Sequence, residues 1–366
     1  TTPAITGVTS STLIHVNQFK QRLFFVEKNT LNAWYLPVSS IGGAAAKLDF
    51  SSLFSLGGHL MAMGTWTIDG GAGMDDYAVW ITSEGEVAVY GGTDPSSSTT
   101  WGLVGIYRIG KPIGRRCMIK MSGDLLIVTY DGIVPLSKAL RGRGSEESSL
   151  SRKIRSVVSE DAITYGNNFG WQIIQFPSVN MLVVNVPLLE NSSARQYVMN
   201  TITGAWCRFI DIDSYCYELF NEHLYFGTTG KVCKFWDITS DLGFNIDASV
   251  KQAWSYFGRR NQLKKWNMVR PILMTDGIIS PVIAINTDFE NVDPTSNPTF
   301  VELPGSAWDT SSWDTSSWTP TVGVQKTWQS VKGLGYAGSF RMKVSSNAPT
   351  VSWPSTDYIF EGAGYL

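Results

Sequence analysis

One pattern returns five times between residues 22 and 237 of this chain: an apolar run rich in β-branched and aromatic residues, a short polar turn often ending in glycine, then a second such run. It reads "RLFFVEKNTLNAWYLPV" (22–38), "YAVWITSEGEVAVYGG" (77–92), "DLLIVTYDGIVPLS" (124–137), "QYVMNTITGAWCRF" (196–209) and "HLYFGTTGKVCKFWD" (223–237). Each is a β-hairpin by its turn chemistry. Gly85, Gly132, Gly204 and Gly230 stand in the turns, where positive φ costs least, and Asp131-Gly132 is a strong short-range hairpin signal. In the first copy Asn32 is the residue expected to tolerate that conformation. Upstream of most hairpins lies further strand sequence: "GTWTID", "RCMIKMSG", "GWQIIQFPSVNMLVVNVP" and "SYCYELFN". Units of three or four antiparallel strands, recurring every roughly 25 to 70 residues, are what propeller blades look like in sequence. Their irregular spacing leaves a β-sandwich with long hairpins as the competing fold.

Near residue 240 the pattern changes. "NIDASVKQAWSYFG" and "KKWNMVRPILMTDGIISPVIAINTDFE" alternate polar and apolar positions over longer strands, separated by the basic turn "GRRNQLKK" (258–265). That is the opening of a β-sandwich. A Ser/Pro/Trp-rich stretch at about 291–320 interrupts it, and "KTWQSVKGLGYAGSFRMKVSSNAPTVSWPSTDYIFEGAGYL" resumes it. The expectation is an all-β chain with a β-propeller-like domain over 1–240 and a β-sandwich-like domain over 241–366, the latter carrying a Trp-rich loop. One segment, 137–161, has helical composition, and its mixed charges suggest a solvated connection.

At 366 residues the chain is long enough for more than one core. Its charged residues are 16% and its net charge is −2, which argues against a general DNA-binding surface, since such affinity needs basic charge. No run approaches about 18 apolar residues, and "TTPAITGVTSS" has neither a basic nor an apolar leader region. Neither a membrane span nor a signal peptide is expected. Cys117, Cys207, Cys216 and Cys233 lack CxxC spacing and are expected as buried reduced thiols, with a Cys207–Cys216 pair the alternative. His15, His59 and His223 stand far apart, so no helical zinc motif is present. "GGAGMDD" (70–76) is too short and acidic to cradle phosphate; calcium binding through Asp75 and Asp76 is weaker than a turn solvated by its own carboxylates. No nucleophile-elbow, P-loop or sialidase box occurs. No metal, cofactor or catalytic residue is therefore assigned, and an enzyme is not expected.

Two features remain. "SAWDTSSWDTSSWTP" sets Trp308, Trp313 and Trp318 five residues apart. A step of five advances a helix by roughly 140° and flips the face of a strand, so neither element gathers the three rings on one side. An extended loop is expected, its indoles buried against a sugar, a base or another chain. The second feature is basic: Arg108, Lys111, Arg115, Arg116 and Lys120 in one group, and Arg259, Arg260, Lys264 and Lys265 in the other. As phosphate contacts they would touch nucleic acid without reading sequence; as rim residues of a subunit contact they would pair with acids on a neighbour. The near-neutral net charge favours the second.

The run "HVNQFKQRLFFVEKNTLNAWYLPVSSIGGAAAKLDFSSLFSLGGHLMAMGTWTIDGGAGMDDYAVWITSEGEVAVYGGTDP" resembles tail proteins of short-tailed bacteriophages. "YRIGKPIG", "GDLLIVTYDGIVPLS", "NTITGAWCRF", "LYFGTTGKVCKF" and "DYIFEGAGYL" extend the resemblance over nearly the whole chain. The relatives are tail nozzle or tail-tube components, also called packaged-DNA stabilisation proteins. The resemblance implies a β-propeller with additional β domains and a homo-oligomeric ring of six subunits below the portal and adaptor. It implies contact with other tail components (adaptor, tail fibre or tailspike) and transient contact with double-stranded DNA in the channel. It places the protein in the virion tail after synthesis in the bacterial cytoplasm, and offers no catalytic residues. On this reading Trp308, Trp313, Trp318, Arg259 and Arg260 are interface residues. The alternative is a carbohydrate-binding or glycan-degrading propeller that uses the three tryptophans as stacking platforms.

Overall fold

The computed structural model describes residues 3–69, 74–139, 149–295 and 322–365. The chain divides into two units, Thr1–Phe235 and Trp236–Leu366. Both are built from antiparallel sheets, and the fold is all-β: propeller-like in the first unit and sandwich-like in the second.

After a short parallel pair, β1 (Ile5–Thr6) with β5 (Gly43–Ala44), the first unit is a succession of five meandering sheets. Sheet one holds β2 (Leu13–Phe19), β3 (Arg22–Glu27), β4 (Asn32–Tyr35) and β6 (Ala46–Asp49). Sheet two holds β7 (Leu60–Asp69), β8 (Met74–Thr82), β9 (Glu86–Gly92) and β10 (Trp101–Arg108). Sheet three is β11 (Met118–Met121), β12 (Asp124–Thr129) and β13 (Gly132–Pro135). After the short helix α1 (Leu136–Ala139) and helix α2 (Arg155–Tyr165), sheet four is β14 (Gln172–Phe176), β15 (Met181–Leu189), β16 (Ser193–Asn200) and β17 (Trp206–Phe209). Sheet five is β18 (Cys216–Phe220), β19 (His223–Thr228) and β20 (Lys231–Lys234). All five expected hairpins are present, and Gly85, Gly132, Gly204 and Gly230 all have positive φ. In the first hairpin the left-handed residue is Asn29, at φ 58°, and Asn32 instead opens β4.

Successive side chains of a strand point to opposite faces, and here each face of a middle sheet meets a different neighbour. On β8, Ala78 and Trp80 pack toward sheet one while Val79 and Ile81 join Leu125 and Ile127 of sheet three. On β12, Leu126 and Val128 turn the other way and pack with Ile173, Leu182 and Val184 of sheet four. On β15, Val183 faces Tyr217 and Leu224 of sheet five. Sheets covered on both faces read as unbroken apolar runs, which is why "AVWI", "LLIV" and "MLVV" do not alternate. Four apolar clusters thus join five sheets in a row, and among the described residues no buried cluster joins the fifth to the first.

The first strand of each sheet meets the first strand of the next, and polar side chains tie these junctions. The Met63 carbonyl on β7 accepts from His15 Nε2 and Asn17 Nδ2 of β2, each at 2.9 Å. Lys120 of β11 donates to Thr67 of β7. Arg116, just before β11, donates to Gln172 Oε1 of β14 at 2.8 Å and to the Tyr215 carbonyl at 3.0 Å. Gln172 in turn exchanges two bonds with the Tyr217 backbone of β18, at 2.7 and 2.9 Å.

The second unit packs two sheets over one core. One is β21 (Ile246–Lys251), β26 (Gly338–Ser346) and β23 (Val282–Thr287). In the other, β22 (Gln262–Thr275) pairs along one edge with β27 (Val351–Tyr365), and on the opposite edge with β25 (Gln329–Gly335) and β24 (Gly323–Gln325). Trp266, Val269 and Leu273 of β22 interleave with Ile283, Ile285, Phe340 and Met342 of the facing sheet.

Three sequence expectations change. Residues 140–148 of the expected helical connection lie outside the described residues, and the helix proper starts at Arg155. It is not a solvated connector, because Val158, Asp161 and Ala162 are buried against sheets three and four. Of the four cysteines, all free, only Cys117 is buried; Cys207 and Cys216 are exposed, because the strands bearing them lie at a sheet edge or at the end of the row. The basic group at 108–120 is largely used within the first unit: Arg108 lies 3.7 Å from Glu86, Lys111 2.7 Å from Glu84, and Arg116 and Lys120 tie the sheet junctions.

Candidate functional site at the basic turn of the second unit

Between β21 and β22 the chain stays extended long enough for Ser255 to exchange two backbone hydrogen bonds with Gly338, at 3.0 and 2.9 Å. That extension places Trp254 and Tyr256, two residues apart, on one side. Phe257 turns the other way, into contact with Trp266, Tyr358 and Phe360. The turn that follows bears Arg259, Arg260 and Asn261. Beneath it lies Lys264, buried, whose ammonium donates to the carbonyls of Arg259 at 2.5 Å, Gln262 at 2.9 Å and Tyr336 at 3.1 Å. Burial pushes the Lys264 pKa down, and the Asp288 carboxylate pulls it back up.

Asp288 forms the opposite wall. Its Oδ1 accepts from the amides of Tyr336 at 2.7 Å and Ala337 at 2.9 Å. The carboxylate sits so near the backbone that a Cβ on Gly335 would lie 2.6 Å from Oδ2, so a larger residue there would have to displace the carboxylate. Asp288 and Phe289 both have left-handed φ, 47° and 67°, and this double turn holds the Phe289 ring out, 57% exposed.

The result is a row of rings between two cations. Lys251 Nζ lies 5.0 Å from the Trp254 ring, Trp254 4.9 Å from Phe289, Phe289 6.4 Å from Tyr256, and the Arg260 guanidinium 5.1 Å from Tyr256. Beside the row opens a pocket of about 410 Å³ lined by Tyr256, Arg260, Asn261, Asp288, Phe289 and Tyr336. Apolar ring faces with a few converging polar groups are the make-up of a small-ligand site.

Of the expected site residues, Arg259 and Arg260 sit on this turn, Arg260 in the pocket wall and Arg259 giving its carbonyl to Lys264. Trp308, Trp313 and Trp318 lie outside the described residues. The sequence reading missed Trp254, Phe289 and Asp288; the signal for the first was the alternation in "AWSYF", and for the others there was none.

Asp76 accepts from Thr67 at 2.7 Å and from Lys20 at 3.3 Å, and the side chain of Asp75 lies outside the described residues. Burial holds the His15 imidazole below its ordinary pKa. Among the described residues no group of three or more His, Cys, Asp or Glu could hold a metal ion, and no helix is long and apolar enough to cross a membrane.

No protein-family model and no curated protein matches the chain. Among solved structures it is similar to a putative 6-phosphogluconolactonase from Bacteroides uniformis, at 10% identity and TM-score 0.35, over 62% of this chain and 67% of that one. It is also similar to a glycoside hydrolase family 43 arabinoxylan arabinofuranohydrolase from Bacillus subtilis, at 6% identity and TM-score 0.27, over 94% of each chain. Likenesses this distant carry no argument about what the chain does.

Proposed function

We propose that this chain is a structural subunit of a bacteriophage tail, of the nozzle or tube kind, which assembles into a closed ring and lets double-stranded DNA pass. The sequence resemblance motivates the reading, and one structural observation supports it: among the described residues no apolar cluster covers the outer face of sheet five, at the end of the row, and large apolar side chains stand on it. Tyr217 and Leu224 of sheet five face sheet four, so the alternate residues Phe220 and Val232 lie on the opposite face, 64% and 77% exposed. The same face carries Glu218, His223, Tyr225 and Lys234, so a contact made there is part apolar and part polar, as protein interfaces are. A contact of that face with a different surface of the next subunit is heterologous, and such contacts generate rings when the rotation closes. The net charge of −2 supplies no large counterion-release affinity, which suits a conduit that has to let DNA go.

In this ring the indoles of Trp308, Trp313 and Trp318 bury between subunits, while Asp309 and Asp314 pair with Arg259 or Arg260 of a neighbour. Aromatic and arginine side chains dominate such contacts. Trp313→Ala is then expected to leave the isolated subunit's melting temperature unchanged and to weaken assembly, read by sedimentation. Electron microscopy of the purified chain, alone and with adaptor and tail components, tests the whole reading. Rings with a central channel are expected, and Phe220→Asp with Val232→Asp should abolish them. A protein that stays monomeric in every mixture, or that hydrolyses glycans, overturns it.

A further inference from the structure

We propose that the pocket beside Phe289 is a binding site for a neutral sugar, its ring stacked on the Phe289 face and its hydroxyls bonded by Arg260, Asn261 and Asp288. The site shares Arg260 with the proposed subunit contact, so it is tested on the unassembled chain, where that contact is not made. Three observations lead to the proposal.

The first is that the platform is built and not left over. Phe289 is held in water by two successive left-handed residues, a backbone arrangement that costs energy and persists only where the surroundings enforce it. Asp288, through the Tyr336 and Ala337 amides, anchors this turn. The same backbone pair occurs at Lys20–Gln21 and Asn221–Glu222, but only here does its second residue carry a bulky aromatic ring.

The second is the polar set. Arg260, Asn261 and Asp288 are planar groups that between them offer donors and acceptors in pairs, which matches the vicinal hydroxyls of a pyranose. The Phe289 face meets the C–H face of the same ring. One small pocket therefore satisfies both sides of an amphipathic ligand.

The third is charge. The pocket wall holds one cation, Arg260, and one carboxylate, Asp288, which also faces the buried Lys264 ammonium beneath the turn. A phosphate or sulfate placed against Arg260 would also face Asp288. The carboxylate opposes an anion seated directly on Arg260, a neutral ring meets no such opposition, and the anionic probes below decide between the two.

The test uses the full chain on an array of neutral oligosaccharides, with titration of any binder followed by tryptophan fluorescence, since Trp254 touches Phe289. Single-stranded oligothymidylate and heparin are run beside it. Binding of a neutral glycan is expected, weakened about tenfold by Phe289→Ala, as for loss of one stacked ring. Asn261→Ala should weaken it also. Phe289 is exposed, so its truncation leaves folding intact, and a melting curve checks this. The proposal is overturned if no neutral glycan binds, if binding survives Phe289→Ala and Asn261→Ala together, or if only the oligothymidylate or heparin binds.

Discussion

Asp161 is the side chain whose loss the first unit should feel most. It projects from α2 toward sheet four, its side chain only 3% exposed, and accepts from Arg195 Nε at 3.0 Å, again from Arg195 Nη2, and from the Tyr197 hydroxyl. Burial, and then this carboxylate, push the Tyr197 phenol pKa well above its ordinary value, so the hydroxyl stays a donor. Asp161→Asn keeps the shape and removes the charge. Arg195, whose side chain is 20% exposed, is left as a largely desolvated cation, and one donor of the new amide faces the guanidinium. Breaking a buried pair from one side costs about 3–5 kcal/mol, and the partial exposure of Arg195 argues for the lower end. At about 2–4 °C per kcal/mol for a unit of this size, a loss of about 3 kcal/mol lowers the melting temperature by roughly 6–12 °C. The assay is calorimetric melting of parent, Asp161→Asn, and Asp161→Asn combined with Arg195→Met. The double variant removes the orphaned charge and should recover part of the loss. A single variant melting within about 2 °C of the parent, or a double variant no better than the single, would refute the reasoning.

The turn glycines should separate by environment. Gly132→Val is expected to cost more than Gly230→Val, because both have positive φ but only at Gly132 would the new Cβ collide, 2.4 Å from Ser151 Oγ; equal urea midpoints would sink this. The acid limb of stability should depend on Glu86. Burial pushes its carboxyl pKa up, but the Leu56 amide, the Ser55 hydroxyl and amide, and Arg108 outweigh this and leave it below the ordinary 4.5. The stabilisation is therefore present above pH 4.5 and lost as pH falls through the folded pKa, so Glu86→Gln should flatten the decline of the urea midpoint between neutral and acid pH. An unchanged slope would remove Glu86 from the account. Thiol labelling should find Cys207 and Cys216 at once and Cys117 only on unfolding, its thiol being buried and pushed up to about 12; early modification of Cys117 by mass spectrometry would contradict the packing.

The hairpins were legible because their signal is local: a glycine of positive φ between two apolar runs fixes turn and register within some fifteen residues. The blade-like grouping followed from the extra strand sequence before most hairpins. What sequence could not display was which face of each strand meets which neighbour. "LLIV" reads the same whether its faces are shared between two sheets or lie in one core. The pairing of β22 with β27 joins residues about ninety apart, and only packing selects it. Asp161 and Lys264 were invisible for a related reason. In sequence they sit in charged stretches, "SED" and "LKK", and nothing local says that one of each pair of charges turns inward to meet Arg195 or three carbonyls. The aromatic row was half legible, since Trp254 and Tyr256 alternate, while Phe289 joins them only through the turn at Asp288.

The row of sheets also bears on how the chain comes into being. Each sheet is one continuous stretch of sequence, and each apolar cluster joins a sheet to the one synthesised immediately before it. Contacts of that kind are short-range along the chain, so little loop-closure entropy stands between a finished sheet and its place. A ribosome emitting this protein can therefore set down one sheet against the last while the next is still being made. The same nearest-neighbour coupling runs in reverse on unfolding. Sheets one and five, each joined to a neighbour on one side only, are where opening should begin, and amide exchange should slow from them toward the sheets held on both sides.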